Sequence, residues 1–228
     1  MYMSNTKFRS ARFKNASPVI YEKTANGEEM YDIYSRLLKE RIVFLDSELD
    51  IESANNIISQ FLWLEKQDSE EPIHLYINCY GGDLSAMFAI YDVMQFIKPP
   101  IYTFVLGIAA SAAAVLLCAG EPGCRFALPH SEIMIHEPLH FGIGGSTTDV
   151  QIYNKTVLKN RDQTLKILER HTNRNYDQLK EDCSRDLYMD VEHALEYGII
   201  DEIKQRKPVA PVKPKPRTKR AIKAKPKK

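Results

Sequence analysis

The chain has 228 residues, 44% of them hydrophobic and 27% charged, with a formal net charge of +1. That length accommodates one sizeable α/β domain with short appendages, and no 18-residue apolar run suggests a membrane span. Four cysteines (Cys79, Cys118, Cys124, Cys183) form no C-x-x-C pair and no metal-ligand spacing, so reduced thiols, no metal and a cytosol-like compartment are expected.

Of 31 Lys and Arg residues, twelve lie from Lys204 onward with five prolines and no acid, so the other 19 face 30 acidic residues and the body carries about −11. A nucleic-acid arm and a disordered solubilising or sorting tail both fit residues 204–228. The lack of aromatics for base stacking favours the second, and nucleic acid is not an expected partner. Residues 1–17 are polar and aperiodic, without a secretory h-region, and read as a flexible segment or propeptide. The domain proper is expected over 18–203.

In chain order, Val19 to Tyr21 reads as a short strand closed by the turn signal Ala25-Asn-Gly27. Glu28 to Arg41 is helical in pattern, with Met30, Ile33, Tyr34, Leu37 and Leu38 on one face. Ile42 to Leu45 is a strand. Asp50 caps a helix whose stripe is Ile51, Ala54, Ile57, Ile58, Phe61, Leu62 and Leu64. The strand Ile73 to Ile77 runs into Asn78-Cys-Tyr-Gly-Gly82, then a helix from Asp83 to Ile97 that Pro99-Pro100 ends. Ile101 to Leu106 is a strand, followed by an alanine-rich helical run containing Ser111. Arg125 to Leu128 and Glu132 to Ile135 are two further strands. A glycine-rich segment, Phe141 to Ser146, precedes a long, mostly polar helix from Thr147 to about Thr172, of the kind that projects onto a partner. Asn175 to Cys183 is a short helix, Ser184 to Met189 an extended link, and Asp190 caps a last helix before Ile199 to Ile203. Strand and helix alternate at short spacing, which predicts parallel βαβ units with strands covered on both faces. Active groups in such sheets gather at the carboxyl ends of strands, where Gly81-Gly82 and Ser111 both fall.

Ser111 is the only strongly polar side chain between Gly107 and Gly120, and small neighbours leave its oxygen approachable. At a strand-to-helix turn it is either a nucleophile beside helix N–H donors or simply the cap of a core helix. The Gly-x-Ser-x-Gly elbow is absent. His136, which closes the apolar strand Ile133 to Ile135, is the candidate base, although a lone histidine there is more often structural. Asp186 is the preferred orienting carboxylate, one among thirty acids, and Arg185-Asp186 also fits an interface ion pair. Gly82 and the N–H of Ala112 would supply an oxyanion hole, or Gly81-Gly82 is an ordinary turn. No phosphate-binding glycine motif occurs, so nucleotide binding by this chain is not indicated.

Leu75-Tyr-Ile-Asn-Cys-Tyr-Gly-Gly82, Ala89 to Pro99, Ala109-Ala-Ser111, Arg125-Phe-Ala-Leu-Pro129, Ile133-Met-Ile-His-Glu-Pro138, Tyr31 to Arg41 and Ala194 to Asp201 together resemble the proteolytic subunit of the Clp protease, over about residues 18–203. The resemblance implies a single-domain α/β fold of the Clp and crotonase type, with repeated βαβ units and a projecting handle helix. It implies a serine endopeptidase with Ser111 as nucleophile, His136 as general base, Asp186 as its orienter, and Gly82 and Ala112 at the oxyanion hole. It also implies a homo-oligomer of two stacked heptameric rings, with Thr147 to Thr172 and the glycine-rich segment at the ring contact and residues 18 to about 27 lining the pore. A Clp-type AAA+ ATPase would feed unfolded chains, docking where Tyr76, Phe96 and Phe126 match the family's aromatic positions. ATP is used by that partner, so no cofactor is expected here.

Three departures carry consequences. Cys79-Tyr80 stand where the family usually has Ser-Pro, which removes a proline's restraint and implies a looser oxyanion loop. Ala112-Ala113 replace Met-Gly and keep the backbone donor. Glu137 replaces Gln and sets a charge beside the base. A non-catalytic subunit of a mixed ring and an acyl-CoA hydratase or isomerase are the alternatives. The first is opposed by retention of all three triad residue types, the second by the Ser/His/Asp set.

Overall fold

A computed structural model describes residues 18–24, 27–139 and 144–205. The readings of residues 1–17, of Ala25 and Asn26 in the turn, of 141–143 in the glycine-rich segment and of the tail from 206 lie outside them.

The sheet grows outward from one long strand. Strands β3 (Ile42–Leu45), β4 (Ile73–Cys79) and β5 (Ile101–Ala110) lie side by side in parallel. β5 then forks: its first half pairs with β6 (Arg125–Ala127) through Thr103 to Val105, and its last three residues pair with β7 (Glu132–Ile135). The second partner explains why β5 runs four residues past the expected Leu106. β9 (Glu202–Ile203) extends the sheet beyond β6, and β8 (Leu187–Met189) adds antiparallel to β7. Ser111 follows the fork directly.

Helices α2 (Ile51–Gln67), α3 (Leu84–Phe96) and α4 (Ala112–Cys118) pack on one face. There Val43, Leu45, Leu75, Ile77 and Val105 are buried, while alternate residues on β3, β4 and β5 remain partly exposed. Cover on both faces, as expected for a fully parallel sheet, is therefore not what the chain adopts. The second face is half open and carries the register-aligned rings Phe44, Tyr76, Phe104 and Phe126, with centroids 5.6, 4.7 and 4.7 Å apart in succession.

The caps fall where the sequence puts them: Asp50 closes a capping box with Ser53, Asp83 accepts from Ala86 N–H, and Asp190 accepts from His193 N–H ahead of α7 (Val191–Tyr197). The long helix α5 (Thr147–His171) starts at Ser146 with a second capping box through Asp149, and α6 (Tyr176–Asp182) starts at Asn175. One expected helix, Glu28 to Arg41, is strand in its first part. Residues 27–32 form β2 (Gly27–Asp32), paired antiparallel with β1 (Val19–Thr24) from Val19↔Asp32 to Thr24↔Gly27, and only α1 (Ile33–Leu38) is helical. Asp32 caps α1 with its side chain, which sets the boundary, and Met30 stays exposed rather than joining an apolar stripe.

Candidate active site

Ser111 stands at φ 56° and ψ −124°, and its side chain makes no cap hydrogen bond. The helix-cap reading therefore fails. A β-carbon at positive φ costs about 1–3 kcal/mol and persists only where surroundings hold it. Here the Ser111 N–H donates to Met134 O at 2.8 Å, and its carbonyl accepts from Ala114 and Val115. The hydroxyl, freed from capping, reaches His136 Nε2 at 2.8 Å.

His136 follows β7 directly, so strand pairing fixes its backbone. The register Ile135↔Leu187 between β7 and β8 places the next residue, His136, beside Asp186, and Asp186 Oδ1 lies 3.2 Å from His136 Nδ1. Sequence separation hides this neighbourhood, which one antiparallel pair creates. If Nδ1–H donates to the carboxylate, the Nε2 lone pair faces the serine proton. The side chain of His136 is 10% exposed and that of Asp186 56%. Glu137, expected as a charge beside the base, instead pairs with Arg161 of α5 at 3.4 Å, while its N–H donates to Cys183 O at 2.7 Å. Arg161 was not visible as a participant in the sequence.

The Gly81-Gly82 turn is shaped by close approach. A β-carbon at Gly82 (φ 147°) would meet Leu49 O at 2.2 Å, and one at Gly81 (φ 103°) would meet Ala110 O and Ser111 Cβ at 2.8 Å each. Leu49 N–H donates to Gly81 O and Asp83 N–H donates to Leu49 O, both at 2.8 Å. This parallel bridge runs through the residues flanking Gly82, so the Gly82 N–H faces away from Leu49. Ala112 N–H is the first of α4 and has no intrahelical acceptor. The turn left without its proline is tied by sulfur: the Cys79 thiol lies 2.9 Å from Ser47 O, and Gly81 N–H donates to Cys79 Sγ at 3.2 Å.

Leu84, Val115, Ile135, Pro138, Thr164 and Leu168 line a cleft with Ser111, Ala112 and His136. Its lining is mostly apolar, and its cavity volume of about 10 Å³ is no larger than one water. The chemistry available is activation of a hydroxyl by a histidine, beside the unpaired first N–H of α4. Among the described residues no group of three or more His, Cys, Asp or Glu could hold a metal, and no helix is long and apolar enough to cross a membrane.

The expected docking residues are not gathered. Tyr76 and Phe126 share the aromatic row with Phe44 and Phe104, and Lys204 Nζ sits 4.0 Å over the Phe126 ring. Phe96, at the end of α3, lies outside that row and is 80% exposed. Phe44 and Phe104 are not among the expected docking residues, although the cross-strand pairs Phe44↔Tyr76 and Tyr76↔Phe104 follow from the strand alignment.

Fold and geometry thus define an α/β protein with a serine, a histidine and an aspartate assembled at the carboxyl edge of a forked sheet. A family model described as Clp protease matches residues 25–207, and the chain belongs to the Clp protease family. Its class is accordingly that of a Clp-type peptidase.

Proposed function

We propose that the chain is a serine endopeptidase subunit cutting unfolded polypeptides, with Ser111 as nucleophile, His136 as general base and Asp186 as orienter. The observation that carries this is the pair of contacts made by one imidazole, 2.8 Å to Ser111 Oγ and 3.2 Å to Asp186 Oδ1. Ser111 Oγ attacks the peptide carbonyl carbon as its proton passes to His136 Nε2. The carbonyl oxygen, now negative, is received by the N–H groups of Gly82 and Ala112. Collapse breaks the C–N bond, and His136 protonates the leaving amine. Water deprotonated by His136 then hydrolyses the Ser111 ester, releasing the acid and restoring the serine.

The same reading includes two stacked heptameric rings and a Clp-type AAA+ unfoldase that uses ATP and docks on the aromatic face near Tyr76 and Phe126, with Phe96 at its margin. Residues 18–203 form the peptidase domain in this reading. Four free cysteines support a reducing compartment, cytoplasmic or an organelle matrix.

Ser111→Ala tests the core of it. Hydrolysis of a fluorogenic peptide and labelling by a fluorophosphonate should both fall at least 10³-fold, toward background, while the assembled mass stays unchanged. Labelling equal to that of the parent would sink the nucleophile assignment. A parent chain with no activity of its own would favour the non-catalytic ring subunit.

A further inference from the structure

Cys79 is a buried side chain that the reaction does not consume, yet it holds one of the groups that the reaction needs. It ends β4, is 2% exposed, and lies on the floor of a surface cleft walled by Asp46, Ser47, Glu48, Asn78 and Tyr80. Its sulfur has three backbone contacts in two segments, the longest to Gly81 O at 3.6 Å. The Cys79 thiol donates to Ser47 O at 2.9 Å in the loop after β3, and Gly81 N–H donates to Sγ at 3.2 Å. The Gly81 carbonyl is separately held by Leu49 N–H at 2.8 Å. The Gly81–Gly82 link is thus fixed by the sulfur before Gly81 and by the Leu49 bridge after it, which leaves the Gly82 N–H little freedom of direction.

We infer that Cys79 is a positioning residue for peptide hydrolysis: its thiol, as donor to Ser47 and acceptor from Gly81, aims the Gly82 N–H at the oxyanion. This rests on the peptidase reading and goes beyond it, since it gives a role to a side chain that never touches the substrate. An exposed tyrosine at position 80 supplies no turn restraint, so the sulfur is the tie on the amino side of Gly81, complementing the Leu49 bridge on the other. Burial raises the thiol's pKa, so it stays neutral and keeps the proton that it donates to Ser47 O. A thiol so buried and so protonated is a poor nucleophile, which fits a holding role.

The test compares Cys79→Ala and Cys79→Ser with the parent, each in the full-length chain. Alanine deletes the sulfur with its hydrogen bonds and leaves a small void; serine retains a donor and an acceptor. Loss of one oxyanion donor typically lowers rate by ~10²–10³, so a misdirected donor should lower kcat by about 10–100-fold with KM within about twofold. Affinity for a peptide boronate, whose tetrahedral adduct uses the same hole, should fall in parallel. Ring mass should not change, and Cys79→Ser should recover most of kcat. Hydrogen exchange at the Gly81 and Gly82 amides should quicken in Cys79→Ala and not in Cys79→Ser. Full kcat in the alanine variant, or equal losses in both variants, overturns the inference. If the parent shows no Ser111-dependent hydrolysis, the peptidase reading fails instead, and amide exchange alone decides whether the thiol holds the loop.

Discussion

Asp186 keeps more than half of its side chain in water while the imidazole that it touches is nearly enclosed. Exposed carboxylates are screened, so the Coulomb attraction it offers a charged His136 is modest. Its main contribution is then directional: accepting Nδ1–H fixes the tautomer that leaves Nε2 open to Ser111. An amide of the same shape can turn its NH₂ toward Nδ1 and favour the wrong tautomer. Asp186→Asn is therefore expected to lower kcat by about 10²–10⁴-fold with little change in KM. Because the side chain is exposed, thermal stability should move by no more than about 0.5 kcal/mol. Steady-state peptide hydrolysis and a melting curve on the same preparation check both, and a loss below tenfold would remove Asp186 from the machinery.

At the scale of elements, caps and strands were legible where one residue type settles the matter. Asp50, Asp83 and Asp190 announced their helices, and Pro99-Pro100 closed one. Residues 28–32 keep helical spacing with Ile33, Tyr34 and Leu37 through Met30, yet they pair with β1 in a short hairpin across the Asn26-Gly27 turn signal, and that local pairing overrides the helical pattern. Asp186 could be nominated but not placed, since only the β7–β8 register brings it to His136. The junction of α5 with the sheet was hidden for the same reason. His171, at the end of α5, has Nε2 3.1 Å from Tyr91 Oη, which also accepts from Arg170, and the His171 carbonyl accepts from Arg125, itself paired with Asp201. Burial, followed by the nearby Arg125 and Arg170 charges, pushes the imidazole down to about 4. The unfolded chain protonates near pH 6.5. Between those values the unfolded state binds a proton that the folded state refuses, so stability falls as pH drops from about 6.5 to about 4 and this contribution levels off below. His171→Gln should flatten that part of the melting-temperature profile. An acid slope identical to that of the parent would show that the imidazole is not responsible.

At the scale of the whole molecule, the described residues leave two apolar surfaces exposed, as interaction sites do. The aromatic face of the sheet is one; the amino-terminal part of α5 is the other. That helix is 25 residues long, about 37 Å at ~1.5 Å per residue, and its buried residues are Thr164, Leu165, Ile167 and Leu168. Upstream, Ile152 is 60% exposed and Leu158 51%. Ile152 and Leu158 lie on different sides of the helix, so covering them takes a broad surface rather than one groove. Most helical stability in proteins comes from packing of an apolar face rather than from intrinsic propensity. On the double-ring reading, the covering surface is the same helix of the facing ring. Ile152→Asp combined with Leu158→Asp places charges in that contact and should halve the assembled mass without unfolding the chain, as read by sedimentation velocity and circular dichroism. Activity should fall with it, because α5 carries Arg161, which holds Glu137 next to the base, and Thr164 and Leu168, which wall the cleft beside Ser111. A full-sized, fully active double variant would show that α5 is not the ring contact and that its apolar residues serve another partner.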